Sequence, residues 1–248
     1  MLRSLIRLRL FSVPALWALA ALVLGCAENE VIPTPTPAST CYPTSIITAD
    51  GAFIYNTVIT YDDQNRIIKK VRHGGSGTRS TVFLYDAKGD MVETGPEGAT
   101  DTFYTYDLNH RIITESRDSY LFTYSYNASG QLVTVTFSSA SCPSCIDTWT
   151  YTYPNTSTKN YNTLTTTYTG APRTTHFEYD DKYNPAKRME LPSLATDNNI
   201  VRAVTSWDSF SEEVRYAYQY NEHGYPTSVA IPIDFSYGNL TIYTYECK

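Results

Sequence analysis

Aromatic and hydroxyl side chains alternate along most of this chain. Between Tyr120 and Tyr126 the aromatics are Tyr120, Phe122, Tyr124 and Tyr126, with Leu121, Thr123 and Ser125 between them. Trp149, Tyr151 and Tyr153 alternate with Thr148, Thr150 and Thr152, and Tyr216, Tyr218 and Tyr220 keep the same step, as do Tyr243 and Tyr245. A period of two puts each set on its own face of a strand. Tyr and Thr both suit a pleated, half-buried surface. Helical periodicity is nearly absent. The exception is Pro185 to Ala195, where a short helix or an irregular excursion is expected.

A seven-residue unit punctuates these runs. It reads aromatic, Asp or Asn, two free positions, a turn residue, one more, then an apolar residue or Pro. Copies start at Tyr61, Tyr85, Tyr106 and Tyr126, with altered copies at Tyr179 and Tyr220. Asp or Asn suits the first position of a type I turn, where its side chain bonds the backbone ahead. Such a turn closes a hairpin by ending in a left-handed residue. That position holds Asn65, Gly89, His110, Gly130 and Gly224, all of types enriched there. Tyr183 does not fit, and a different turn is expected at that copy.

The leading tyrosines at 61, 85, 106, 126, 153, 179, 220 and 245 are mostly 20 to 27 residues apart. That spacing holds two strands of about eight residues and two turns. The longer gap from Tyr179 to Tyr220 leaves room for the excursion and another strand. The expected fold class is all-β: a long antiparallel up-and-down meander of hairpins, roughly fourteen to sixteen strands, curled into an open or closed barrel-like sheet.

The N-terminus adds a location. Arg3, Arg7 and Arg9 precede a short apolar run from Leu10 to Leu24, the form of a secretory signal. It ends Val23-Leu24-Gly25-Cys26, which resembles the bacterial lipobox, with cleavage before Cys26 and lipidation of its thiol. Ala27 is not the aspartate that holds enterobacterial lipoproteins at the inner membrane, so the outer membrane is expected, facing the periplasm or the cell surface. The expected organisation is a signal over 1–25, a lipidated Cys and Pro/Thr-rich tether over 26–40, and one domain over 41–248. In polyproline II form the tether would extend on the order of 40 Å.

Without the signal's three arginines the chain has 16 basic and 25 acidic residues, a net charge of −9. That balance argues against nucleic acid, which is bound by neutralising phosphates with Lys and Arg. Cys41, Cys142, Cys145 and Cys247 remain, an even set in an exported chain, with three connectivities possible. The favoured pairs are Cys142 with Cys145 at a hairpin tip and Cys41 with Cys247 between first and last segments.

The seven-residue unit resembles the YD (Rhs-type) repeat, Tyr-Asp-x-x-Gly-Arg-Leu, with Arg66-Ile67, Arg111-Ile112 and Gln131-Leu132 after the turn. The whole chain is similar to a group of uncharacterised Bacteroidota lipoproteins with a lipobox, a Pro/Thr tether and degenerate YD-like hairpins. They also share a later Tyr-Asp-x-x-x-Asn-Pro followed by Asn-Asn, here Tyr179 to Pro185 and Asn198-Asn199. The resemblance implies a porin-like, curled antiparallel sheet, and it supplies no catalytic residues.

Candidate chemistry is sparse. Cys142-Pro143-Ser144-Cys145 has redox spacing, but a strand rather than an activating helix should follow it. His73, His110, His176 and His223 make no metal-ligand spacing. Asp62-Asp63 and Asp180-Asp181 read as turn formers, without the dense oxygen pattern of a calcium loop. His73 to Gly77 reads as a flexible hairpin tip. Trp149 and Trp207 are the candidates for stacking on a ligand such as a sugar ring. No catalytic residue, metal or cofactor is expected. The favoured function is a non-enzymatic binding or structural module of the envelope, with a glycan or another envelope protein as partner. The alternative is a glycan-acting hydrolase using carboxylates on the concave face or in the 185–200 excursion.

Overall fold

The computed structural model describes residues 39–75, 77–168, 172–189, 191, 194–231 and 239–248. The signal segment, Cys26 and the tether up to residue 38 lie outside the described residues. The strands are β1 (Cys41–Asp50), β2 (Phe53–Tyr61), β3 (Ile67–Gly74), β4 (Gly77–Tyr85), β5 (Met91–Pro96) and β6 (Thr102–Tyr106). They continue as β7 (Ile112–Arg117), β8 (Tyr120–Tyr126), β9 (Leu132–Ser139), β10 (Cys142–Thr152), β11 (Thr163–Thr167) and β12 (Arg173–Tyr183). After a 3-10 helix (Pro185–Arg188) come β13 (Asn198–Trp207), β14 (Phe210–Arg215), β15 (Ala217–Tyr220), β16 (Pro226–Ile231) and β17 (Asn239–Cys247).

All seventeen strands belong to one antiparallel sheet. Neighbours in sequence pair in turn, and β1 pairs with both β2 and β17, which carries the hydrogen-bond pattern back to its start. The strands β14 and β15 are one line broken at Tyr216, whose N–H still bonds Val201 O of β13 at 2.9 Å. That break takes the number of strands above the expected range. Joining the first strand to the last covers edges that an open meander would leave bare.

The repeat turns form as their chemistry dictates. Asp62 Oδ1 accepts from the N–H groups of Gln64 and Arg66, and Asp86, Asp107, Asn127 and Asn221 do the same for their own turns. Asn65 and His110 are left-handed at φ 60° and 58°, as is Gly89 at 90°. Each ladder shifts register at the leading Tyr, the bulge this turn requires. Tyr183 stays extended as the last residue of β12, and the chain turns back only through the excursion.

The tyrosines do more than line a face. Tyr85 OH donates to Ile67 O, Tyr106 OH to Met91 O, and Tyr126 OH to Ile112 O, at 2.8 to 2.9 Å. Tyr61, Tyr153, Tyr179 and Tyr245 make the same tie to Pro43, Leu132, Tyr161 and Pro226. In the one displaced copy Tyr218 bonds Ile200 O, while Tyr220 bonds the Asp180 carboxylate. Each phenol thus satisfies a backbone carbonyl at the start of the neighbouring strand. Arg66 and Arg111 stack on the next repeat's Tyr85 and Tyr126, at 4.5 and 4.7 Å.

All these turns lie at one end of the sheet, the repeat end, together with Cys41 and Cys247. The interior is packed there. Ile59, Ile67, Phe83 and Met91 form one buried cluster, and Ile112, Tyr124, Leu132 and Val135 a second. Leu191 of the excursion packs against both, with Met189 against the first and Leu194 against the second. Outward positions mix Thr and Ser with exposed apolar residues such as Ile54, Val58, Leu84 and Phe103, and Arg202 there bonds Glu178 at 2.6 Å and Glu213 at 2.9 Å.

Candidate functional site

The other end is a mouth. Inward residues that are buried near the repeat end give way to exposed ones toward the opposite hairpins. Phe53 is 58% exposed, Tyr120 46%, Tyr168 42% and Phe210 63%. Each shares a face with a packed aromatic: Phe53 with Tyr55, Tyr120 with Phe137, Tyr168 with Trp149, and Phe210 with Trp207. The apolar rim is therefore continuous with the interior.

One recess on this rim is at the β3–β4 hairpin. The tight tip pairs Gly74 with Gly77, His73 with Thr78 and Arg72 with Arg79. Gly74 has φ 131°, and a Cβ there would sit 2.2 Å from Ile54 O, so only glycine lets β2 approach. The pairing puts two arginines directly across from each other. Both face inward, because Arg72 pairs with Thr57 on the Ile59 face of β2, and Arg79 shares its face with buried Phe83. The Arg72 guanidinium lies 3.8 Å over the Tyr55 ring. Together they line a cavity of about 330 Å³.

At the repeat end, a recess of about 310 Å³ lies between the turns and the excursion, touching Tyr42, Arg66, His110, Arg188 and Leu191. A wider cleft of about 930 Å³ runs past Tyr183, Asp197 and His223. The carboxylates here are engaged. Asp197 pairs with Lys187 and accepts from Lys159 N–H at 2.8 Å. Partial burial pushes its pKa up, yet those bonds hold it below the usual carboxylate value. Asp180 accepts from the Lys182 and Asn199 N–H groups and from Tyr220, and Asn199, only 4% exposed, also donates to Tyr183 O at 3.1 Å. The Asn198-Asn199 pair thus braces the excursion's return. Asp62 is likewise occupied by its turn and by Arg66.

The four described cysteines form Cys41–Cys247 and Cys142–Cys145 disulfides. The second lies in the bulged start of β10, just past the β9–β10 turn, and a strand continues from it. Cys41 and Cys247 also sit close to His223, but their sulfurs are bonded to each other. The two tryptophans separate. Trp149 packs into the second core cluster, whereas Trp207 stands at the mouth, stacked on Phe210 and under Arg173 at 5.1 Å. Sequence reasoning did not single out Arg72, Arg79 or Tyr55. The signal was available in the hairpin register implied by the Gly74-Gly75-Ser76-Gly77 tip.

No protein-family model matches the chain, and no curated protein matches it. Solved structures do. The fold is shared with porin-like proteins. One from Bacteroides uniformis has a TM-score of 0.58 at 14% identity, over 82% of this chain and 96% of that one. Another from Bacteroides vulgatus has a TM-score of 0.53 at 12% identity, over 84% of this chain and 99% of that one. A Photorhabdus luminescens Tc holotoxin pore matches at a TM-score of 0.35 over 9% of its chain, too distant to bear on the fold. The curled sheet implied by the YD-like repeats is therefore found.

Proposed function

We propose that this chain is an envelope lipoprotein of the Bacteroidota type, anchored in the outer membrane through Cys26, whose barrel is a non-enzymatic binding module. The observation that carries this reading is the contrast between the two ends. Cys41, the first residue of β1, lies at the packed repeat end, and the aromatic mouth at the other end is the surface offered to a glycan or another envelope protein. Leu191 and Leu194 pack against the buried clusters inside the sheet, apolar surface where a porin lumen is polar.

A lipid-facing barrel carries an apolar band between aromatic girdles. The outer face here mixes both characters: the Arg202 ion pairs and Thr148, Thr150 and Thr152 stand outward, and so do exposed Ile54, Val58, Leu84 and Ile242. The preference for anchoring over insertion therefore rests on the lipobox at Cys26. Acid–base chemistry has little to work with in and beside the excursion, where Asp197 and, on β12, Asp180 are held in structural bonds.

Metabolic labelling with a palmitate analogue tests the anchor. The full chain should take the label, and Cys26→Ala should lose it and leave the membrane fraction. A Cys26→Ala chain that stays membrane-embedded, or conducts ions across a planar bilayer, would overturn the reading. A screen of the acylated protein against glycans and envelope extracts should give binding without turnover.

A further inference from the structure

The mouth holds a charge arrangement that folding does not account for. Like charges directly opposite each other on antiparallel strands are destabilising. Arg72 and Arg79 are such a pair, and among the described residues neither forms an ion pair. Scarcity of acid is not the reason, since the chain has 25 acidic residues to 19 basic. Five other arginines are matched: Arg66 with Asp62, Arg111 with Asp107, Arg117 with Asp101, Arg202 with Glu178 and Glu213, and Arg215 with Glu213. Arg173 and Arg188 lie singly over the Trp207 and Tyr42 rings, so what sets Arg72 and Arg79 apart is that they stand directly opposite each other.

We propose that Arg72 and Arg79 form a two-guanidinium clamp for an oxyanion, a carboxylate, sulfate or phosphate, carried on a ligand that enters the mouth. The inference rests on reading the mouth as a binding surface and names the chemistry it recognises. Guanidinium forks match the planar edges of oxyanions and bind them through two parallel hydrogen bonds. Tyr55, stacked 3.8 Å beneath Arg72, holds that fork in place at little further entropic cost. Gly74, Gly75 and Gly77 add no side chain to the lining beside Tyr55, Arg72, Thr78 and Arg79, and the volume of about 330 Å³ suits one small group. Exposed Phe53, next to Tyr55, is placed to stack on whatever bears the anion.

The test is calorimetry on the full acylated chain in detergent, at fixed ionic strength, with inorganic phosphate, sulfate, glucuronate and neutral glucose. Saturable binding of at least one oxyanion is expected, and the tightest of the three identifies the source. Arg79→Gln should weaken that binding at least about tenfold and leave the unliganded melting temperature unchanged or higher, because a repulsion is removed. Arg79→Lys, which keeps the charge without the fork, should fall between. Arg72→Gln serves as a second variant on the same terms. Unchanged affinity in the glutamine variants, or no binding of any oxyanion by the wild type, overturns the clamp. Glucose binding as tightly as glucuronate overturns it too, while leaving a binding module intact. Loss of acylation or membrane insertion sinks the module reading instead, without touching these affinities.

Discussion

At the scale of single residues the repeat is a wiring rule. Its Asp satisfies two N–H groups of the turn, its Tyr reaches a carbonyl on the preceding strand, and its Arg, where present, pairs with the Asp and lies on the following Tyr. Tyr126→Phe removes the bond to Ile112 O and should cost about 0.5 to 1.5 kcal/mol, read by chemical denaturation. Tyr120→Phe, at the exposed rim, should cost little. The turn acids set an acid limit. Hydrogen bonds and charge from Arg111 hold Asp107 below the usual carboxylate range. A carboxyl lowered in the folded state adds stability above its unfolded value, and that stability is lost as pH falls through the folded one. Asp107→Asn keeps the backbone bonds but not the charge, so it should flatten the acid limb of a melting-temperature profile. An unchanged acid limb would show that the turn charges do not contribute. The turn itself was legible because the Asp or Asn and the N–H groups it holds lie within four residues, whereas the phenol ties, which span 14 to 21 residues, were not.

At the scale of elements, legibility fell with contact range. The hairpins and the misfit at Tyr183 followed from local chemistry. The excursion's role did not, because its apolar residues pack against strands more than fifty residues away. Leu191 is left-handed at φ 54°, a conformation costly for a side chain with a Cβ. Its contact with both buried clusters offsets that strain. Leu191→Ala should destabilise by about 1 to 3 kcal/mol, less than at a fully buried leucine, and shift Trp149 fluorescence, since Trp149 packs on the same second cluster. A shift in melting temperature without a change in that fluorescence would mean that Leu191 does not join the clusters. Arg72 and Arg79 show the opposite case. Their pairing could be counted from the tip, but their inward aim and missing acids depend on how the whole sheet curls. Gly74→Ala should disturb both levels, lowering stability and closing the recess against Ile54 O.

At the scale of the molecule, two features hold the ring. One is Cys41–Cys247, which spans 206 residues between the first strand and the last. Chain-entropy reasoning puts its contribution at about 5 kcal/mol at most. Replacing both cysteines by serine should lower the melting temperature without changing the far-ultraviolet spectrum, since β1 and β17 keep their hydrogen-bonded ladder. The other is the set of buried phenols. Burial raises the pKa of Tyr126 and Tyr151 from the ordinary 10.0 to about 12, and pushes Tyr106, Tyr153, Tyr179 and Tyr245 up as well. Below pH 10 these phenols are protonated whether the chain is folded or not, so stability does not depend on them. Above it the unfolded chain releases protons that the barrel retains, and stability declines until the folded values are passed. An absorbance titration near 295 nm should therefore show the exposed tyrosines ionising first. The interior set should follow in one cooperative step that coincides with loss of the β-sheet signal. Independent ionisation of all the tyrosines near pH 10, with the sheet intact, would mean that the phenol ties do not hold adjacent strands together and that the backbone ladders close the ring unaided.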